Sequence, residues 1–96
     1  MTKRLDDIEI KRHLEGLPGW VEVKGKLEKE YTFNGFVEAF AFMTKVAFLA
    51  EAMNHHPDWS NVYNRVLINL TTHDVGGITE LDMQFAESLE AVASGG

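Results

Sequence analysis

Apolar and polar positions along this chain recur with two periods, and the places where one period gives way to the other mark out its elements. From Asp6 to Leu17 the apolar residues Ile10, Leu14 and Leu17 follow one helical face. Asp6 and Glu9 have the spacing of a capping box, with Leu5 and Ile10 placed as a hydrophobic staple, and Gly16 with Pro18-Gly19 ends the helix. His13 falls on its polar side, a solvated surface position. Trp20 to Lys24 alternates, turns at Lys24-Gly25-Lys26 and returns as Leu27 to Phe33. That puts Leu27, Lys29, Tyr31 and Phe33 on one face and Glu28, Glu30 and Thr32 on the other.

Asn34 is placed to cap a helix running to about Met53. Phe36, Phe40, Met43, Ala47 and Ala50 form one stripe along it, and Phe42, Val46, Leu49 and Met53 form a second. A helix apolar on nearly all sides is buried on more than one side, and in a short chain a second copy is the natural cover. Strand alternation then resumes in NVY and VLINLTT, separated by a turn at Asn64-Arg65. With that turn Tyr63 faces Val66, and His73 falls opposite His56, although Pro57 cannot donate to the ladder there. Tyr63, Val66, Ile68 and Leu70 share the core face, and Asn69, Thr71 and His73 the other. Gly76-Gly77 permits a tight turn, Thr79 to Asp82 repeats the capping-box pattern, and Ile78, Leu81, Phe85, Leu89 and Val92 carry the last helical face. Residues 93–96 are expected to fray. The order is α-β-β-α-β-β-α: one α+β domain over 1–96, a four-stranded antiparallel sheet with three helices packed on one face.

Composition changes this picture little. The chain has 96 residues, 45 % hydrophobic, enough for one folded two-layer domain. It has no cysteine, which excludes disulfides and thiolate chemistry. Glu38, Lys45 and Glu51 interrupt the longest apolar run below membrane-spanning length, and the N-terminal MTKRLDDIEI lacks an apolar signal segment, so a cytoplasmic location is expected. A net charge of −6 without a basic stripe argues against direct nucleic-acid binding.

The chemistry lies in the histidines. His55 and His56 are adjacent at the end of the long helix, and the hairpin brings His73 back beside them. Histidine exchanges protons near neutrality. Residue types alone leave three roles open: general acids and bases, ligands of a metal such as a His₃ zinc site with an open position, or structural histidines bonded to backbone. Three converging histidines, with Asp58, Asp74 and Asp82 nearby to orient them, favour a site.

The run HHPDWSNVYNRVLINLTTHD, together with LPGW at Leu17 to Trp20, FNGFVEAFAFMTKVAFLAE in the long helix and GGITELD, resembles the pterin-4a-carbinolamine dehydratase family over nearly the whole chain. Eukaryotic members of that family double as dimerisation cofactors of a homeodomain transcription factor. The resemblance implies dehydration of 4a-hydroxytetrahydrobiopterin to quinonoid dihydropterin and water, recycling tetrahydrobiopterin for aromatic amino acid hydroxylases, with no metal and no bound cofactor. It makes His55, His56 and His73 the catalytic residues, His55 and His73 as acid and base and His56 chiefly holding the ring. Asn54, His56, Trp59, Thr71 and Asp82 make up the expected substrate-binding set. Asn54 stands where the family often has an acidic residue. It can hydrogen-bond an imidazole without lending it charge. The resemblance also implies a homodimer or homotetramer, with sheets joined edge to edge and tetramers formed through helices. The alternative is an interaction protein with a vestigial pterin site.

Overall fold

The computed structural model describes residues 3–95. Its elements are α1 (Asp7–Leu14), β1 (Val21–Val23), β2 (Lys26–Thr32), α2 (Phe36–Met53), β3 (Asp58–Val62), β4 (Arg65–Leu70), a 3₁₀ turn (His73–Val75) and α3 (Glu80–Ala93). The strands form one antiparallel sheet in the order β1-β2-β4-β3. The predicted α+β order therefore holds, with the 3₁₀ turn added. Gly96 lies outside the described residues; Ala93, the last residue of α3, packs against the core. No helix among the described residues is long and apolar enough to cross a membrane.

Helix starts follow local chemistry. Asp6 and Glu9 form the reciprocal capping box of α1, with Glu9 N donating to Asp6 Oδ1 at 2.8 Å and Asp6 N to Glu9 Oε1 at 2.9 Å. The expected cap of α2 is not Asn34: the N-cap is Gly35, and no side chain caps the helix. The β1–β2 turn is Lys24-Gly25, both at positive φ (53° and 80°), which glycine adopts freely.

The second hairpin departs from expectation by two residues. Its turn is Tyr63-Asn64, so Val62 pairs with Arg65 and Asp58 with Asn69. The cause is Asn64, which does not take the left-handed place; Tyr63 does, at φ 51°. Asn64 instead clamps the turn to the end of β2, its Nδ2 donating to the Phe33 carbonyl (3.0 Å) and its own carbonyl accepting from Phe33 N (2.8 Å). An even shift leaves every strand side chain on its expected face. Val66, Ile68 and Leu70 are fully buried, but Tyr63, now in the turn, is 64 % exposed and not part of the core.

The core lies between the sheet and the helices, where Leu27, Tyr31, Phe42, Val46, Ile68, Phe85 and Leu89 interlock. A polar cluster pins the C-terminal half of α3 to β2. Glu90 Oε2 accepts from Lys29 Nζ (2.7 Å), Trp20 Nε1 (3.2 Å) and, at close range, Tyr31 Oη. Burial, then the hydrogen bond and charge of Glu90, push the Tyr31 hydroxyl well above the ordinary phenol range. Burial opposes ionisation of Glu90, yet the bonds from Lys29, Tyr31 and Trp20 outweigh it and hold the carboxyl below its ordinary value. On the far side of α2, Phe36, Val37, Phe40 and Phe48 are half to three-quarters exposed.

Candidate functional site

The sequence arranges this site around the end of α2. Asn54 closes the helix in the left-handed conformation (φ 51°, ψ 44°), which asparagine tolerates better than most residues, and its N–H bonds back to Glu51 O at 3.3 Å. That need accounts for an asparagine here. The reversal sends the next two side chains in opposite directions. His55, its backbone N–H bonded to Ala50 O (3.0 Å), turns inward and is 9 % exposed, edge-on to Phe85. His56 turns outward, with Nε2 2.7 Å from Glu51 Oε2.

His55 is fixed from behind. Its Nε2 lies 2.5 Å from Oδ1 of Asp82, a fully buried carboxylate three residues into α3. The other oxygen of Asp82 accepts from Thr79 N and from Thr72 Oγ1, both at 2.9 Å. Thr72 and Thr79 share a further hydrogen bond between their hydroxyls at 2.8 Å. The helix N-terminus adds the positive end of its dipole beside the carboxylate. Asp82 thus completes the α3 capping box and orients His55 at the same time. With Nε2–H donated to Asp82, Nδ1 is the ring nitrogen left for a ligand.

His73 opens the 3₁₀ turn rather than ending a strand. Thr72 and Gly77 close that turn by exchanging backbone bonds (2.9 and 3.3 Å), and Gly76 ends it at φ 66°. His73 is exposed, and its Nε2 lies 3.9 Å from Asp58 Oδ2. Asn54, His55, His56, Thr71, Thr72, His73 and Asp74 line one polar cleft of about 200 Å³. Two larger hollows lie against α1, and neither has a histidine in its lining.

Five of the predicted residues, Asn54, His55, His56, Thr71 and His73, therefore share the cleft. Two do not. Trp59 pairs with Ile68 on the helix-facing side of β3 and packs half-buried against the core, so it is not a wall of this cleft. Asp82 is fully buried behind His55, bonded to that ring, and is not part of the cleft lining. The register shift also removes the direct His73–His56 pairing; the 3₁₀ turn brings His73 back instead. Thr72 was missed. Strict alternation puts it on the inward face with Leu70, and a buried threonine there needs a partner, which Asp82 supplies. Among the described residues no three His, Cys, Asp or Glu side chains are disposed to hold a metal ion, and His55 Nε2 is already committed to Asp82.

A single antiparallel sheet backed by three helices, with a polar cleft built around histidines at one corner, defines a class of small α+β protein. The chain belongs to the pterin 4 alpha carbinolamine dehydratase family, whose sequence profile it matches over residues 3–92. A relative from Solibacter usitatus, provisionally named a pterin-4-alpha-carbinolamine dehydratase, is 55 % identical over 99 % of this chain and 100 % of its own. One from Synechococcus sp. (strain WH7803), with the same provisional name, is 60 % identical over 79 % of this chain and 82 % of its own. Among solved structures, a transcriptional coactivator/pterin dehydratase from Brucella melitensis superposes with a TM-score of 0.92 at 40 % identity, covering 95 % of this chain and 99 % of that one. A pterin dehydratase-like protein described as a RuBisCO assembly factor in the alpha-carboxysome superposes with a TM-score of 0.68 at 26 % identity, over 81 % and 93 %.

Proposed function

We propose that this protein dehydrates a pterin-4a-carbinolamine, with His55 and His73 exchanging the protons and His56 holding the ring. The observation that carries this reading is the His55–Asp82 pair at 2.5 Å facing the cleft that His56 and His73 also line. The reaction breaks the C4a–O bond. The departing hydroxyl takes a proton and leaves as water, and a ring N–H gives one up as the carbon–nitrogen double bond forms. His55 suits the base: Nδ1 accepts the ring proton while the buried Asp82 carboxylate offsets the charge the imidazole acquires. His73 suits the acid, because an exposed imidazolium is reloaded directly from water. Each positioned proton transfer supplies about 10²–10⁴-fold in rate.

In this reading the protein recycles tetrahydrobiopterin for an aromatic amino acid hydroxylase in the cytoplasm, and needs no metal or bound cofactor. The test is a spectrophotometric assay on freshly generated 4a-carbinolamine. The parental protein should accelerate dehydration, and His55→Ala and His73→Ala should each lose about 10²–10⁴-fold of it. Parental rates in both variants, with both folded, would refute the assignment.

A second reading, assembly with a partner chain, draws support from the exposed Phe36, Val37, Phe40 and Phe48 of α2 and from the two structural relatives described as a coactivator and an assembly factor. Self-association through that face, as homodimer or homotetramer, is compatible with dehydration.

A further inference from the structure

Each histidine of the cleft has a carboxylate of its own. His55 has Asp82 at 2.5 Å, His56 has Glu51 at 2.7 Å, and His73 has Asp58 at 3.9 Å. The third pair differs in kind. The distance is too long for a hydrogen bond, and the same Asp58 oxygen is held by Lys26 Nζ at 3.1 Å. We propose that Asp58 is a positioning residue for His73, and that Lys26 limits this positioning by competing for the one carboxylate oxygen.

The sheet dictates the juxtaposition. Asp58 opens β3 opposite Asn69, and Lys26 opens β2 one step beyond the Leu27–Leu70 pair. Both therefore stand on the open face of the sheet, at the end where β4 runs into the His73 turn. His73 itself is 73 % exposed in its side chain, so no packing fixes its ring as Phe85 and Asp82 fix His55. A group that transfers protons needs its nitrogen aimed, and catalytic hydrogen bonds are often long before the ligand arrives. A small rotation that shortens 3.9 Å to bonding distance draws Asp58 off Lys26. Asp58 itself stands outside the cleft lining, whose one carboxylate is Asp74 in the same turn, and among the described residues no ion pair ties Asp74 to His73.

The test combines ¹³C relaxation of the His73 ring with dehydration kinetics in Asp58→Asn, Asp58→Glu, Lys26→Met and the Asp58→Asn/Lys26→Met double variant. Asp58 and His73 are exposed, Lys26 is partly so, and none of the three belongs to the core. In Asp58→Asn the His73 ring should move with larger amplitude and kcat should fall about two- to fivefold, the range an exposed ion pair allows, with KM changing less. Asp58→Glu should restore both, and Lys26→Met should tighten the ring and raise kcat within the same factor. In the Asp58→Asn background, Lys26→Met should have no further effect. Unchanged ring motion in Asp58→Asn, or a Lys26→Met effect that survives without the carboxylate, would overturn the proposal. The kinetic arm rests on the dehydratase reading and the relaxation arm does not. A parental protein without turnover would refute that reading while the ring measurements still decide this one.

Discussion

Replacing Asp82 by Asn separates the two roles of that side chain. The carboxylate accepts three hydrogen bonds while fully buried: from His55 Nε2, from Thr72 Oγ1 and from Thr79 N. Asparagine has the same shape and keeps one acceptor oxygen. Placed at Oδ2, that oxygen still receives Thr72 and the Thr79 amide, so the α3 cap survives. The amide nitrogen then faces His55, and two N–H groups cannot bond each other. His55 must turn Nε2 into an acceptor and carry its proton on Nδ1, the nitrogen that faces the cleft. A ring in that tautomer cannot accept a proton there. The expected loss in kcat is therefore about 10²–10⁴-fold, with a stability loss of only about 1–2 kcal/mol. For a domain of this size that lowers Tm by about 4–16 °C. Asp82→Ala behaves differently, because it leaves His55 Nε2 and Thr79 N without an acceptor and Thr72 Oγ1 with only the Thr79 hydroxyl. The expected cost is about 3–5 kcal/mol, a large part of the about 5–15 kcal/mol that a domain holds. Thermal melts, the dehydration assay and ¹⁵N shifts of the His55 ring read the three quantities separately. Asp82→Asn turning over at the parental rate, or losing activity only in proportion to its unfolded fraction, would refute this account of the pair.

Other expectations follow from the same structure. His56→Ala should raise KM with kcat largely kept, since the role proposed for the exposed His56 is to hold the ring; steady-state kinetics with substrate dissociation fast relative to turnover checks this. The apolar face of α2 predicts self-association, so sedimentation should find the parental protein at least dimeric at micromolar concentration, and Phe40→Glu with Phe48→Glu should shift it toward smaller species. Tyr31 keeps its proton in the fold above its ordinary value of 10.0, because of burial first and Glu90 second. Its contribution to stability is therefore full below about pH 10 and lost as the pH rises further, and Tyr31→Phe should flatten the alkaline limb of the stability curve. Glu90, held below its ordinary 4.5, contributes fully above that value and less as the pH falls through its lower folded value, which acid titrations of Glu90→Gln against parent would reveal.

What was legible in the sequence was what a single period or a reciprocal capping box decides; a lone cap residue was not, since Gly35 and not Asn34 takes the N-cap of α2. The order of elements, the faces of β2 and β4, both capping boxes and the end of α2 near Met53 all follow from spacing alone. The misplaced features depend on partners distant in the chain. Asn64 reads as the first, left-handed turn residue until Phe33, just past β2, claims its side chain and Tyr63 takes that place. Trp59 reads as a wall for a flat ligand until the register puts it beside Ile68. The cluster of Trp20, Lys29, Tyr31 and Glu90 joins residues up to seventy positions apart, and in sequence each of them looks like an ordinary surface or core side chain.

Asp82 is the instructive intermediate. The pattern Thr79 to Asp82 gave its local role as a cap, and the family motif suggested a place near the ligand. Neither showed that one carboxylate does both, one oxygen for the helix start and the other for His55. That sharing ties the geometry of the histidine to the integrity of α3. If α3 frays at its first turn, Thr79 and Thr72 lose their acceptor and His55 loses its aim in the same event. Substitutions that weaken the cap without touching the cleft, such as Thr79→Ala, should therefore cost activity beyond their effect on the folded fraction. The cap itself is worth about 0.5–2 kcal/mol. Kinetics at a temperature where Thr79→Ala is fully folded would show the coupling as a lower kcat, and a parental kcat there would mean that α3 holds Asp82 in place without its cap.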